Sequence, residues 1–221
     1  MSTDTAPKPP APPRLSHLRE LASLGSDGVG DDDVLLEFDV ADVFLDAHSV
    51  EFVELGECHL RSGSMADSSW YKCTWRDLRL DAIDLANTSF EQAAWRRISL
   101  AGCRLTGLDL AASTCEDIDI AQGVLEDANF RMASLRRVRF TGTRMAGVDF
   151  SNAQGTDVEF IDCDLTGAHF DHFRAERVRL ENCRLDQVQG VAGLRGASIA
   201  TLDLLTLTEQ LAQALGIRLE R

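Results

Sequence analysis

From Leu80 to Leu185 every fifth position is reserved for a large apolar side chain. Of these 22 positions, 19 are Leu, Ile, Met, Phe or Trp, and the exceptions are Cys115, Gly155 and Ala175. The frame continues backwards without a break through Trp75, Trp70, Met65, Leu60, Leu55 and Val50 to Leu45 and Val40. A helix does not explain it, because five steps of about 100° carry the apolar set around the cylinder. A straight strand does not either, because residues five apart fall on opposite faces. The chain must therefore turn a corner about once per five residues. An unbroken internal repeat of this kind predicts a solenoid.

A longer period lies over the first. Two residues before the centre, positions 78, 98, 118, 138, 158 and 178 read Leu, Ile, Ile, Val, Val and Val, whereas 103, 123, 143, 163 and 183 read Cys, Gly, Thr, Cys and Cys. Bulky and small sites thus recur every twenty residues, which makes four short sides per coil. The expected architecture is an all-β solenoid, a four-sided β-helix of about eight coils over residues 37–197, with two inward rows per side. One local exception is readable. Ala175 occupies a centre that should be large, while Phe173 occupies the small site beside it, and Gly155 with Ala153 lies one coil away. A volume-conserving swap is predicted, with Phe173 filling the gap.

The segments "LTGLDL", "LEDANF" and "FTGTRMAGVDF" resemble the A-(D/N)-L-x-x pattern of pentapeptide repeat proteins. The resemblance implies a right-handed quadrilateral β-helix. The tail "LRGASIATLDLLTLTEQLAQALGIRLE" is similar to the ending of the mycobacterial quinolone-resistance member of that family. There a C-terminal helical segment closes the coil and builds a dimer. That resemblance also implies an acidic rod that mimics duplex DNA, binds DNA gyrase and modulates quinolone action.

Both flanks depart from the frame. Residues 1–36 read as an arm, a short helix and an acidic joint. All five prolines lie in "PKPPAPP", Pro7 to Pro13, which is expected to be disordered or polyproline-like. Leu15 to Gly25 is expected to be helical, with Ser16 as cap and Leu18, Leu21 and Leu24 as a stripe. "SDGVGDDD" follows as a flexible acidic joint. At the other end, residues 198–221 are expected to form a helical cap over the open edge of the last coil. Thr206 and Glu209 read as a capping box. Leu207, Leu211 and Leu215 share a face, and Gly216 ends the helix. With Ile217 and Leu219 this is more apolar surface than a cap needs, so a homodimer through Leu207, Leu211, Leu215, Ile217 and Leu219 is expected.

Composition narrows the chemistry. The chain has 221 residues and a net charge of −14. It has no 18-residue apolar run and no basic-plus-apolar leader, so a cytoplasmic protein without membrane association is expected. The six cysteines all fall on the five-residue frame and form no C-x-x-C, which reads as small core residues. Cys163 and Cys183 stack in adjacent coils within disulfide reach, but a reducing compartment favours free thiols.

Outward residues twenty apart are neighbours, and many alternate in sign. Asp119, Arg139, Glu159 and Arg179 form one such ladder, and Arg144, Asp164 and Arg184 another. Three sides read as acidic. The fourth is balanced and carries Arg76, Arg96, Arg97, Arg136, Arg137, Arg174 and Arg177, interleaved with Glu116, Asp117 and Glu176. The net acidity disfavours direct nucleic-acid binding, which needs clustered Lys and Arg. The acids outside the ladders are the candidate partner-binding residues: Asp109, Asp149 and Asp171 on one side, with Glu126 and Asp127 at a nearby corner. His169 and His172 flank Asp171, but two histidines without a clear third ligand give no metal site. No phosphate loop, nucleophile elbow or zinc spacing is present, so no cofactor and no enzyme are expected. Two functions remain: a topoisomerase-directed DNA mimic, and a general protein-interaction scaffold.

Overall fold

The computed structural model describes residues 6–218. They form a parallel β-solenoid of about nine turns with a short helical region at the C-terminal end. The five-residue frame is its wall. In the coil of residues 98–117, a corner residue with positive φ closes each side: Gly102 (63°), Gly107 (68°), Ala112 (54°) and Asp117 (59°). Three of every five side chains then face outward and two inward. The inward ones are buried, as with Ile98, Leu100, Cys103, Leu105, Leu108 and Leu110. Most corners are not glycine, so many residues hold a left-handed conformation that ordinarily costs an L-residue roughly 1–2 kcal/mol. The backbone bonds between coils over-determine that geometry.

Successive coils register at an offset of twenty. Ala94 pairs with Thr114, Thr114 with Ser134, Ser134 with Gln154 and Gln154 with Arg174, all in parallel. The offset falls to nineteen at both ends, where Arg19 pairs with Phe38 and Arg179 with Ser198. Inside, identical positions stack into columns. Phe130, Phe150 and Phe170 follow each other at 5.1 and 5.3 Å, and Phe140 meets Phe160 at 5.1 Å. These spacings match the ~4.8 Å distance between paired strands. The small inward sites have a second role. Ser113 Oγ donates to the carbonyl of Phe90 at 2.7 Å, and Thr88 Oγ1 to that of Met65 at 2.8 Å. A small hydrogen-bonding side chain at that corner ties two coils together. The six cysteines are free and buried, and the Cys163 and Cys183 thiols point at the carbonyls of Phe140 and Phe160.

The swap at Phe173 is present. A Cβ added at Gly155 would lie 2.5 Å from Phe173 Cζ, so the phenyl ring occupies the space that a larger residue at 155 would need. Phe173 is buried and packs between Phe150 and Phe170.

The flanks differ from the sequence reading. The segment expected to be helical contains a strand, Arg19–Gly25, paired with Phe38–Phe44. The coil therefore begins before residue 37. Leu21 pairs with Val40 and Leu24 with Val43, which places them on the centre of one side and the inward site of the next. Their spacing of three is the repeat's own step around a corner. The acidic joint is folded onto the first coil: Asp31 accepts from the backbone of Glu51 at 2.9 Å, and the carbonyl of Asp33 from Glu54 at 2.9 Å. His48 Nε2 lies 2.8 Å from the carbonyl of Val29.

At the other end the single expected helix is two, α1 (Thr201–Thr206) and α2 (Thr208–Ala214), broken at Leu207. The capping box does not form. Thr206 Oγ1 instead donates to the carbonyl of Asp203 at 2.7 Å, within the turn before it. Asp203 has the more useful role, since its carboxylate accepts from the backbone N–H of Cys183 at 2.8 Å and satisfies a donor on the last coil.

Candidate interaction surfaces

A solenoid with a filled interior presents its chemistry on its sides and ends. The most ordered arrangement lies along the corner after the arginine-rich side. Asp77, Arg97, Asp117, Arg137, Asp157 and Arg177 succeed each other there, one per coil. Arg97, Arg137 and Arg177 each donate through Nε to the aspartate one coil earlier, at 2.6 Å in all three cases. The three aspartates are nearly fully buried. Burial is the largest effect at Asp77 and Asp117 and raises their pKa, but the arginine hydrogen bonds, the backbone hydrogen bonds from Arg14 and Ala11 and the nearby arginine charges together outweigh it and hold both below the usual carboxylate range. At Asp157 the Arg177 hydrogen bond is the largest effect and also lowers the pKa.

Besides the Nε and Nη2 donors of its arginine, each of these aspartates accepts one hydrogen bond from the proline-rich arm. The backbone N–H of Lys8 donates to Asp157 (3.2 Å), that of Ala11 to Asp117 (2.9 Å) and that of Arg14 to Asp77 (2.9 Å). The arm is thus a strap lying along the rod, against the direction in which the coils advance. Over Lys8 to Arg14 the only residues with a backbone N–H are Lys8, Ala11 and Arg14, and every one is used. The proline-rich composition predicts a disordered or polyproline-like arm, with no seat on the rod. The match between its proline spacing and the coils was not visible in either pattern alone.

The arginine ladders elsewhere are self-paired. Arg139 meets Glu159 at 2.9 Å, Arg184 meets Asp164 at 3.6 Å, and Glu116 lies 3.8 Å from Arg96 and 3.6 Å from Arg136. Asp119 has a raised pKa, because burial outweighs the attraction of Arg139.

The five candidate acids divide. Asp109, Asn129, Asp149, His169 and Gln189 stack in one column on the side 108–112, joined by parallel bridges. Asp109 accepts from Asn129 at 3.0 Å. Asp149 is not free as expected: Arg131 reaches it at 3.1 Å, and Ser151 N–H donates to it at 2.7 Å. Burial raises its pKa, but these hydrogen bonds outweigh the effect and lower it. Glu126 lies 3.6 Å from Arg144 and so is also engaged. Asp109, Asp127 and Asp171 make no ion pair among the described residues. Asp127 and Asp171 are exposed, and the Asp127 carboxylate lies against Gly147, in the space that a Cβ there would need. His169 and His172 belong to no group of three or more metal-ligating side chains among the described residues.

The C-terminal end is apolar, but its exposed residues are not quite those expected. Leu207 is fully buried and Leu211 partly so, both against the chain's own core. They close the coil and are not available as a dimer face. Leu215 and Ile217 are exposed, and so are Leu202, Leu204 and Leu205. Leu219 lies outside the described residues. A groove of about 370 Å³ lined by Leu194, Ile199, Leu204, Leu211 and Leu215 opens at this end. No helix in the described residues is long and apolar enough to cross a membrane.

A four-cornered parallel β-solenoid with an apolar residue at every fifth position defines the class. Residues 121–190 match the family model of the pentapeptide repeat region. The same five-residue frame continues outside that stretch, where the strands also pair in parallel at an offset of twenty. No curated protein matches it. Among solved structures, a trypsin-treated variant of QnrB1, a plasmid-mediated fluoroquinolone resistance protein, is 14% identical. It covers 87% of this chain and 99% of its own, with a TM-score of 0.41. HetL, a pentapeptide repeat protein involved in heterocyst differentiation regulation from the cyanobacterium Nostoc sp. strain PCC 7120, is 13% identical. It covers 82% of this chain and 86% of its own, with a TM-score of 0.33.

Proposed function

We propose that this pentapeptide repeat scaffold is a non-catalytic, cytoplasmic protein that presents its acidic side to the DNA-binding surface of a type II topoisomerase such as DNA gyrase. The observation that supports this reading is the unequal use of charge around the rod. The arginine-rich side is paired internally and its corner is covered by the chain's own arm. On the side 108–112 and its neighbouring corner, Asp109, Asp127 and Asp171 meet no arginine among the described residues. A rod with a net charge of −14 would be steered toward a basic DNA saddle, with an association rate that falls as salt rises. A dimer through the apolar C-terminal end belongs to the same reading, because it would roughly double the length of the acidic side.

The test is gyrase supercoiling against increasing amounts of the purified protein, with and without a quinolone. Inhibition or drug protection that weakens with salt, and that is lost in Asp109→Asn/Asp127→Asn/Asp171→Asn, supports the proposal. No effect at any salt sinks it. The second reading, a scaffold for an unrelated partner, is favoured by the ion-paired ladders, which neutralise much of the acidic surface. Under that reading gyrase is unaffected, and the triple variant loses some other partner.

A further inference from the structure

We propose that the Asp77–Asp117–Asp157 column is a binding site for polyproline II segments carrying a free backbone N–H at every third residue. The N-terminal arm is its resident occupant in cis, and a proline-rich peptide of the same spacing is its ligand in trans. The proposal rests on the corner column alone and is independent of any role of the acidic side.

Two lengths carry the argument. The three aspartates are forty residues apart, which is two coils, or about 9.6 Å at the ~4.8 Å strand spacing. A polyproline II chain rises about 3.1 Å per residue with three residues per turn, so equivalent groups recur every ~9.3 Å. The arm's donors, Lys8, Ala11 and Arg14, are three apart. The mismatch over the whole contact is therefore well under 1 Å by these same two spacings. A helix at about 1.5 Å per residue would fall far short, and an extended strand at about 3.3 Å would step about 9.9 Å and miss by as little as polyproline II, so it is the locked φ of the prolines that selects polyproline II here.

The acceptors are built for this use. Each is held by a two-point contact with an arginine guanidinium, which fixes one oxygen toward the arm. A neutral N–H donor aimed at a fixed carboxylate forms the stronger, charge-assisted kind of bond. The intervening prolines add no donors that would need partners, and their locked φ means that little chain entropy remains to be lost. Column and arm are thus complementary in spacing, in donor count and in stiffness. Each end of the arm's described track borders a cleft. Ala6 and Pro7 border a cleft with Arg177, Arg179 and Ser198, and Leu15 and Ser16 border one with Glu57, Arg76 and Arg97. A longer proline-rich ligand could extend in either direction.

The full chain provides the experiment. Amide exchange in the wild-type protein should be slowed at Lys8, Ala11 and Arg14, and Asp117→Ala should release Ala11 specifically. In the variant Lys8→Pro/Ala11→Pro/Arg14→Pro the arm keeps its stiffness but has no donors, so the column is vacated. A labelled peptide spanning residues 6–16 should then bind this variant and not the wild type. The same peptide with its three donor residues replaced by proline should bind at least about tenfold more weakly, because each lost bond to a charged acceptor is worth about that factor. If both peptides bind alike, if neither binds the variant, or if the wild-type amides exchange as in a free peptide, the assignment is overturned.

Discussion

Gly155 and Phe173 give the sharpest test of how this core is packed. Gly155 lies in the strand Gln154–Ile161, outside the set of positive-φ residues, so alanine is conformationally acceptable there. On backbone grounds alone, Gly155→Ala should stabilise the chain by about 0.4–1 kcal/mol. The side chain decides otherwise. The added Cβ falls 2.5 Å from Phe173 Cζ, 3.2 Å from its Cε2 and 3.3 Å from Val158 Cγ2. Carbon atoms pack best at about 3.5–4.0 Å, so the ring must retreat by about 1 Å. Phe150 and Phe170 block that movement at centroid distances of 6.1 and 5.5 Å. Overpacking of this kind costs about 1–3 kcal/mol. The net expectation is a loss of about 1–2 kcal/mol, or roughly 2–6 °C in melting temperature for a chain of this size. Phe173→Leu removes the atoms that clash. In that background Gly155→Ala should become neutral or stabilising. Thermal and urea unfolding of the wild type, both single variants and the double variant measure the coupling. If Gly155→Ala has the same effect with Phe and with Leu at 173, the volume exchange is not real.

Two further outcomes follow from the ends and the charges. If the C-terminal end dimerises, Leu205→Glu/Leu215→Glu should yield monomers in sedimentation equilibrium without lowering the melting temperature of the coil, because both side chains are exposed. Leu207→Ala, by contrast, should cost about 2–5 kcal/mol whatever the oligomeric state, because this side chain is fully buried in the cap. The two kinds of aspartate should respond to pH with opposite sign. Asp77, Asp117 and Asp157 have lowered pKa values in the folded chain, so their contribution is complete above the unfolded value of 3.8 and is lost as pH falls through the folded value. Asp119 has a raised value, so its charge opposes folding at neutral pH and that penalty vanishes on acidification. Asp119→Asn should therefore stabilise the protein at pH 7 and make no difference near pH 3, whereas Asp117→Asn should destabilise it at pH 7. Melting curves across that range read both signs.

The coil wall was legible because each five-residue side has a fixed inward pair, and burial leaves no freedom there. The corners were less legible. Their left-handed residue is Gly at 102, Ala at 112, Asp at 117 and Arg at 137, so the constraint is met by neighbouring coils and not by a preferred residue type. The misread helix at Leu15–Gly25 has the same physical origin. Leucines three apart fit a helical stripe, and they equally fit the step from the centre of one side to the inward site of the next. Only the pairing of Leu21 with Val40 and Leu24 with Val43 separates the two. The candidate acids were half legible. The twenty-residue column arithmetic found Asp109, Asp127 and Asp171, but it could not see Arg131 reaching diagonally to Asp149 or Arg144 to Glu126. The seat of the arm was invisible for a different reason. It depends on the coincidence of two unrelated periods, twenty residues in the coil and three in the arm.

That coincidence bears on how the rod selects partners. A net charge of −14 sets long-range steering, but it does not choose a side, since it is felt all around a narrow rod. The choice of side must come from which charges are already satisfied. Along the Asp117 corner each carboxylate is bonded to an arginine and to the arm, so a basic partner would have to displace both. On the side 108–112 a basic partner meets Asp109 and Asp171, with no arginine among the described residues to displace. The ladders and the strap therefore act together: they engage many of the rod's acids, and the coil fixes the positions of those that remain. A partner that reads such a set must match its spacing along the axis, in steps of about 4.8 Å per coil. Adding acid elsewhere on the rod would speed encounter, but moving one of these residues by a single coil would change what can bind.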